Sequence, residues 1–64
     1  MIIETSDNRL FLVTEYKAPE LSHVWAAVPV KRIKGGFTLR GKFRLLMIRK
    51  EGSQIIDSTP IVLP

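Results

Sequence analysis

The run Val24-Trp25-Ala26-Ala27-Val28-Pro29-Val30-Lys31-Arg32-Ile33-Lys34-Gly35-Gly36-Phe37-Thr38-Leu39-Arg40 is the most informative stretch of this chain. Its valines at 24, 28 and 30 fall on one side at a period of two, and β-branched residues suit a pleated surface. Residues 24–34 are therefore expected to form a strand. Gly35-Gly36 follows, and glycine accepts the positive φ that a tight hairpin turn demands. Residues 37–50 then return as the second arm. Gly41 lies inside that arm, where a glycine points to a bulge or a sharp bend.

Outward from this hairpin the chain is punctuated by further turn signals. Asp7-Asn8 separates two apolar runs, residues 2–5 and 10–16, which pair as a second hairpin. Glu51-Gly52-Ser53 ends the long arm, and residues 54–63 form the last run. Pro60 within it assigns that run to an edge, because proline has no N–H for a ladder. Residues 19–27 admit two readings. Pro19 and Glu20 suit the first turn of a short helix that carries Leu21, Val24 and Trp25 at helical spacing. The competing reading, which the valine alternation favours, is a loop over residues 17–23 leading into the strand.

The fold expectation is all-β: a small, strongly bent antiparallel sheet, or an SH3-like partly open barrel, of four to five strands. The alternative is α+β, with one short helix near residues 19–27 packed on the sheet. All 64 residues are assigned to a single small domain. Such a chain buries only about 60% of its unfolded surface, so its core is thin. It has no cysteine and one histidine, which excludes disulfide staples and thiolate or His-rich metal sites. The expected core is Trp25, Val28, Val30, Leu39, Phe43, Leu45 and Ile48, with Phe37 on the same apolar face as Phe43. Trp25 and Ile48 fall out of phase with their neighbours. They fit only if the sheet is covered on both faces or Gly41 shifts the register.

The charge pattern carries the functional information. Ten cations face six acids, a net charge of +4. Residues 1–30 hold Arg9 and Lys17 against Glu4, Asp7, Glu15 and Glu20, and residues 51–64 hold only Glu51 and Asp57. The intervening residues 31–50 carry the other eight cations and no acid. At period two, positions 37, 39, 43, 45 and 47 are apolar, while 38, 40, 42 and 44 are Thr, Arg, Lys and Arg. On a continuous strand the three cations would form a stripe with a spacing of about 6.6 Å, of the order of the phosphate spacing along one DNA strand. A register shift at Gly41 would break that stripe. Folding about Gly35-Gly36 would bring Lys31, Arg32 and Lys34 close to Arg40 and Lys42. Like charges facing each other on a sheet repel, so their accumulation points to an external anion.

Three readings of this segment compete: a polyanion site, a solvated face that blunts edge pairing, and a surface for a protein partner. The first is preferred. The chain is then a non-enzymatic nucleic-acid-binding or regulatory accessory module for DNA or RNA, using Lys31, Arg32, Lys34, Arg40, Lys42 and Arg44. The second choice is a protein-interaction or self-assembly module, in which Ile61-Val62-Leu63 either joins two copies as a homo-oligomer or covers the protein's own core. Trp25 beside basic residues would offer a stacking platform to a single strand, but the largest apolar side chain of so small a domain belongs in the core.

Catalysis has little support. Ser22-His23 are adjacent in sequence, yet a nucleophile–base pair needs an orienting acid in space. Glu4, Glu15 and Glu20 have no spacing that suggests an acid/base pair, and Gly35-Gly36 is not a phosphate-cradling loop. No cofactor or small-molecule substrate is expected. The first residues lack the basic and apolar regions of a secretory signal. The longest apolar run, residues 24–30, is far short of the roughly 20 residues that span a membrane. A soluble, cytoplasmic protein is the expectation, and the lack of cysteine fits a reducing compartment.

Overall fold

The computed structural model describes residues 1–14 and 23–64. Seven strands form among them: β1 (Ile2–Glu4), β2 (Leu10–Val13), β3 (Val24–Ile33), β4 (Gly36–Leu39), β5 (Leu46–Arg49), β6 (Gln54–Asp57) and β7 (Val62–Leu63). No helix occurs in the described residues, so the all-β expectation holds. Residues 24–27 are strand, which removes that part of the expected helix; residues 19–22 and the end of the 10–16 run lie outside the described residues.

One sheet contains every strand, in the order β6-β1-β2-β3-β4-β7, with β5 also paired to β3. It is open rather than closed into a barrel. Seven strands replace the expected four to five because two runs are broken. Residues 37–50 divide into β4 and β5, and residues 54–63 divide into β6 and β7 with Pro60 between them. The ladders are antiparallel except for β4 and β7, which run parallel.

The hairpin turns lie close to their expected places. In the β3–β4 hairpin Ile33 pairs with Gly36, so the turn residues are Lys34 and Gly35, one position earlier than expected. Gly35 takes the left-handed φ of 86°. Between β1 and β2 the turn is closed by the Asn8 N–H donating to the Thr5 carbonyl and the Thr5 N–H donating to the Arg9 carbonyl. Asn8, at φ 65°, is a residue type that tolerates this conformation.

Residues directly opposite each other in a ladder project to the same face. Ile2, Leu12, Val28 and Val30 therefore share one face, where Phe37 completes a buried cluster. Ile3, Phe11 and Ala27 share the other, with Val13, Trp25, Leu46 and Ile48 packed against them. Ile2 and Ile3 are consecutive, point to opposite faces and are both 0% exposed, so the sheet is covered on both sides. This is how Trp25 and Ile48 join the core despite their phase.

The core expectation needs correction at three positions. Val28 and Val30 are buried, but Phe43 is 67% exposed, and Leu39 and Leu45 are exposed as well. Leu39 is the last residue of β4, and Phe43 and Leu45 belong to a segment that leaves the sheet. Ile2, Ile3 and Phe11 supply the buried volume instead.

Strand β7 is part of the protein's own sheet. The Phe37 N–H donates to the Ile61 carbonyl at 2.9 Å, and the Thr38 hydroxyl donates to the Leu63 carbonyl at 3.1 Å. Gly36 permits this approach: a Cβ there would collide with the Ile61 carbonyl oxygen.

Candidate functional site

The site originates at Pro29, in the middle of β3. The Pro29 carbonyl accepts the Arg40 N–H at 3.0 Å, so its polar edge faces the returning chain. Proline has no N–H to offer on that edge, and an interrupted ladder is the usual consequence. Here the returning chain leaves the sheet. Leu39 pairs with Val30 and Leu46 pairs with Ala27, so three steps along β3 are matched by seven on the return and four residues are looped out. Gly41 turns the loop with a left-handed φ of 72°. Because four is an even number, the inside–outside alternation of β4 resumes unchanged in β5.

This loop overturns the expected basic stripe. Arg40, Lys42 and Arg44 are not alternate residues of one strand face; they belong to residues 40–45, which lie between strands. All three are exposed. The other expected residues lie further along β3 and in its turn and do not share one face. Lys31 pairs with Thr38, whereas Arg32 projects to the opposite face and pairs with Phe37. The Arg32 guanidinium lies 5.1 Å from the centre of the Phe37 ring, so it also shields the core. Lys34 stands at the hairpin tip.

Two of the six expected residues meet in a pocket of about 310 Å³ lined by Arg9, Phe11, Pro29, Arg40, Arg44 and Leu46. It lies where the looped-out segment leaves β3. Arg9 is the member that the count of charges along the sequence missed, because it belongs to the acidic first segment. Its signal was the Asp7-Asn8 turn. That turn starts β2 immediately after Arg9, and β2 pairs with β3 from Leu10 opposite Val30. The Arg9 guanidinium lies 5.7 Å from the Phe11 ring centre and pairs with the Asp7 carboxylate at 2.7 Å.

Asp7 faces this arginine from within the turn. The Thr5 hydroxyl donates to its carboxylate, and this hydrogen bond, aided by the Arg9 charge, holds the carboxyl below the usual aspartate value. Arg9–Asp7 is the only ion pair among the described residues, so none of the cations from 31 to 50 is paired with a described acid. Among the described residues no acidic side chain lines the pocket. An arginine lining such a site can offer paired N–H donors to oxyanions, while Pro29 and Leu46 provide apolar walls.

Among the described residues no group of His, Cys, Asp or Glu is arranged to hold a metal ion. No helix among them is long and apolar enough to cross a membrane. Of the residues considered for catalysis, Ser22, Glu15 and Glu20 lie outside the described residues, and His23 is exposed. Compared with protein-family models, curated proteins and solved structures, the chain matches none of them.

Proposed function

We propose that this chain is a non-enzymatic accessory module that binds nucleic acid through its basic segment, residues 31–44. The observation that carries this reading is the looped-out segment: it places Arg40, Lys42 and Arg44 outside the sheet, with no acid anywhere in residues 31–50. Lys31 and Lys34 extend the positive surface along β3 and its turn. Polyanion contacts of this kind release counterions and weaken steeply with salt. The test is titration of DNA and RNA oligonucleotides at several salt concentrations. Tight binding at low salt that fades as salt rises supports the reading, and no binding at low salt refutes it.

A second reading, self-assembly, has its own observation. β6 and β7 end the sheet order, so among the described residues each has one unpaired edge, while Ile55, Ile56, Val62 and Leu63 on them are exposed. Open apolar edges are pairing surfaces. Light scattering of the full chain at high micromolar concentration tests it. A dimer mass supports this reading, and a monomer mass removes it.

A further inference from the structure

The pocket beneath the looped-out segment differs in kind from the rest of the basic surface. A stripe of lysines would track a backbone, whereas here arginines from two separate parts of the chain line one concavity: Arg9 before β2, and Arg40 and Arg44 after β4. Arg40 is anchored at its backbone by the bond to Pro29. The volume of about 310 Å³ lies at the lower end of the range for small organic ligands. A phosphate group alone is smaller than such ligands, so the cavity leaves room beside it for a nucleoside. The remaining wall is apolar, formed by Pro29 and Leu46, and the Arg9 guanidinium offers a plane of the kind on which bases stack.

We propose that this pocket takes a nucleotide phosphate monoester, the terminal phosphate of a single strand, with Arg40 and Arg44 on the phosphate and the nucleoside against Pro29, Leu46 and Arg9. This rests on the nucleic-acid reading and sharpens it. A monoester carries a charge of about −1.5 to −2 at neutral pH and three acceptor oxygens, more than an internal diester offers. The two arginine forks of Arg40 and Arg44, which no acid among the described residues pairs, match that demand. A free mononucleotide presents the same chemistry, and the experiment separates the two sources.

Binding of a short oligothymidylate is measured with and without a 5′-phosphate and, separately, with a 3′-phosphate. Charge-assisted hydrogen bonds are stronger than neutral ones, so one phosphorylated end should bind at least about tenfold tighter than the bare strand. Arg40→Gln and Arg44→Gln should each abolish that preference, while Lys34→Gln, at the hairpin tip away from the pocket, should weaken both probes equally. Thymidine monophosphate is then added as competitor. If it displaces the phosphorylated strand at concentrations similar to the strand's own, the pocket serves free nucleotides and the strand-end assignment is wrong. If wild-type protein binds all strands equally, the pocket proposal is overturned and the nucleic-acid reading stands. If it binds none at low salt, both fall. The comparison of probes on wild-type protein decides the matter even if a substitution perturbs folding.

Discussion

Trp25 and Ile48 stand directly opposite each other in the β3–β5 ladder, and both pack on the cluster formed by Ile3, Phe11 and Ala27. The two residues belong to the arms of one basic hairpin, yet they meet only because the chain between Leu39 and Leu46 is looped out. Their contact ties the candidate site to the core: the departure at Arg40 is fixed on one side, and the re-entry at Leu46 is fixed by the ladder that brings Ile48 to Trp25. A cross-strand pair of this type is worth about 0.2–1 kcal/mol. A double-mutant cycle with Trp25→Ala and Ile48→Ala should therefore yield a favourable coupling of that size, measured by denaturant unfolding, and no coupling would contradict the register.

The phenylalanines separate core from surface. Phe11 is 2% exposed and Phe37 is 4% exposed. Truncating either to alanine should destabilise by about 3–5 kcal/mol, close to the whole stability of a domain this small at about 5 kcal/mol. Phe43→Ala should change stability by less than about 0.5 kcal/mol, as surface substitutions do. Thermal melts of the three variants provide the check, and a Phe43→Ala protein that fails to fold would place that ring in the core.

Gly36→Ala should undo the seat of β7. The added methyl would collide with the Ile61 carbonyl that accepts the Phe37 N–H. Overpacking of this kind costs about 1–3 kcal/mol. Faster hydrogen exchange at the Phe37 amide, with the Asn8 turn unchanged, is the expected result. Unaltered protection at Phe37 would show that the close approach does not constrain the strand.

Salt dependence reports the number of phosphates neutralised. With four or five contacts on a duplex, log K should fall against log salt with a slope on the order of −4. Arg40→Ala, Lys42→Ala and Arg44→Ala should each weaken binding and reduce the slope by about 0.9. A triple variant that binds like wild type would remove these residues from the interface.

The Asp7 carboxyl should titrate below its ordinary value of 3.8, chiefly through the Thr5 hydroxyl and secondarily through Arg9. A carboxyl whose folded value is depressed stabilises the fold fully above its unfolded value, and that contribution disappears as pH falls through the folded value. The β1–β2 turn is therefore expected to keep this contribution above pH 3.8 and to lose it progressively as the pH falls below that value. In a carbon-detected NMR titration, Thr5→Val should move the Asp7 midpoint upward; an unmoved midpoint would rule out the hydroxyl as its cause.

Much of the architecture follows from local chemistry. Alternating β-branched residues made 24–33 a strand, Asn8 and Gly35 accepted the backbone of two hairpin turns, and eight cations without an acid marked the basic segment. Each depends on side-chain shape, φ preference or charge, all properties of neighbours in the chain. The break in residues 37–50 also had a local signal in Pro29, whose missing N–H interrupts the ladder. That signal lies on the partner strand, so it acquires meaning only when 29 and 40 are known to face each other.

Tertiary structure alone decided the rest. Period-two alternation specifies two faces but cannot say that both are covered, so Ile2 and Ile3 gave no hint that both would be buried. The same alternation placed Phe43 in the core and drew Arg40, Lys42 and Arg44 as a stripe, because it assumes an unbroken strand. The pocket needed Arg9 from one hairpin and Arg44 from another, a proximity set by how β2 and the returning chain flank β3. Local preferences act within a few residues of the chain. The register and the four-residue excursion are fixed by hydrogen bonds and packing between strands far apart in sequence.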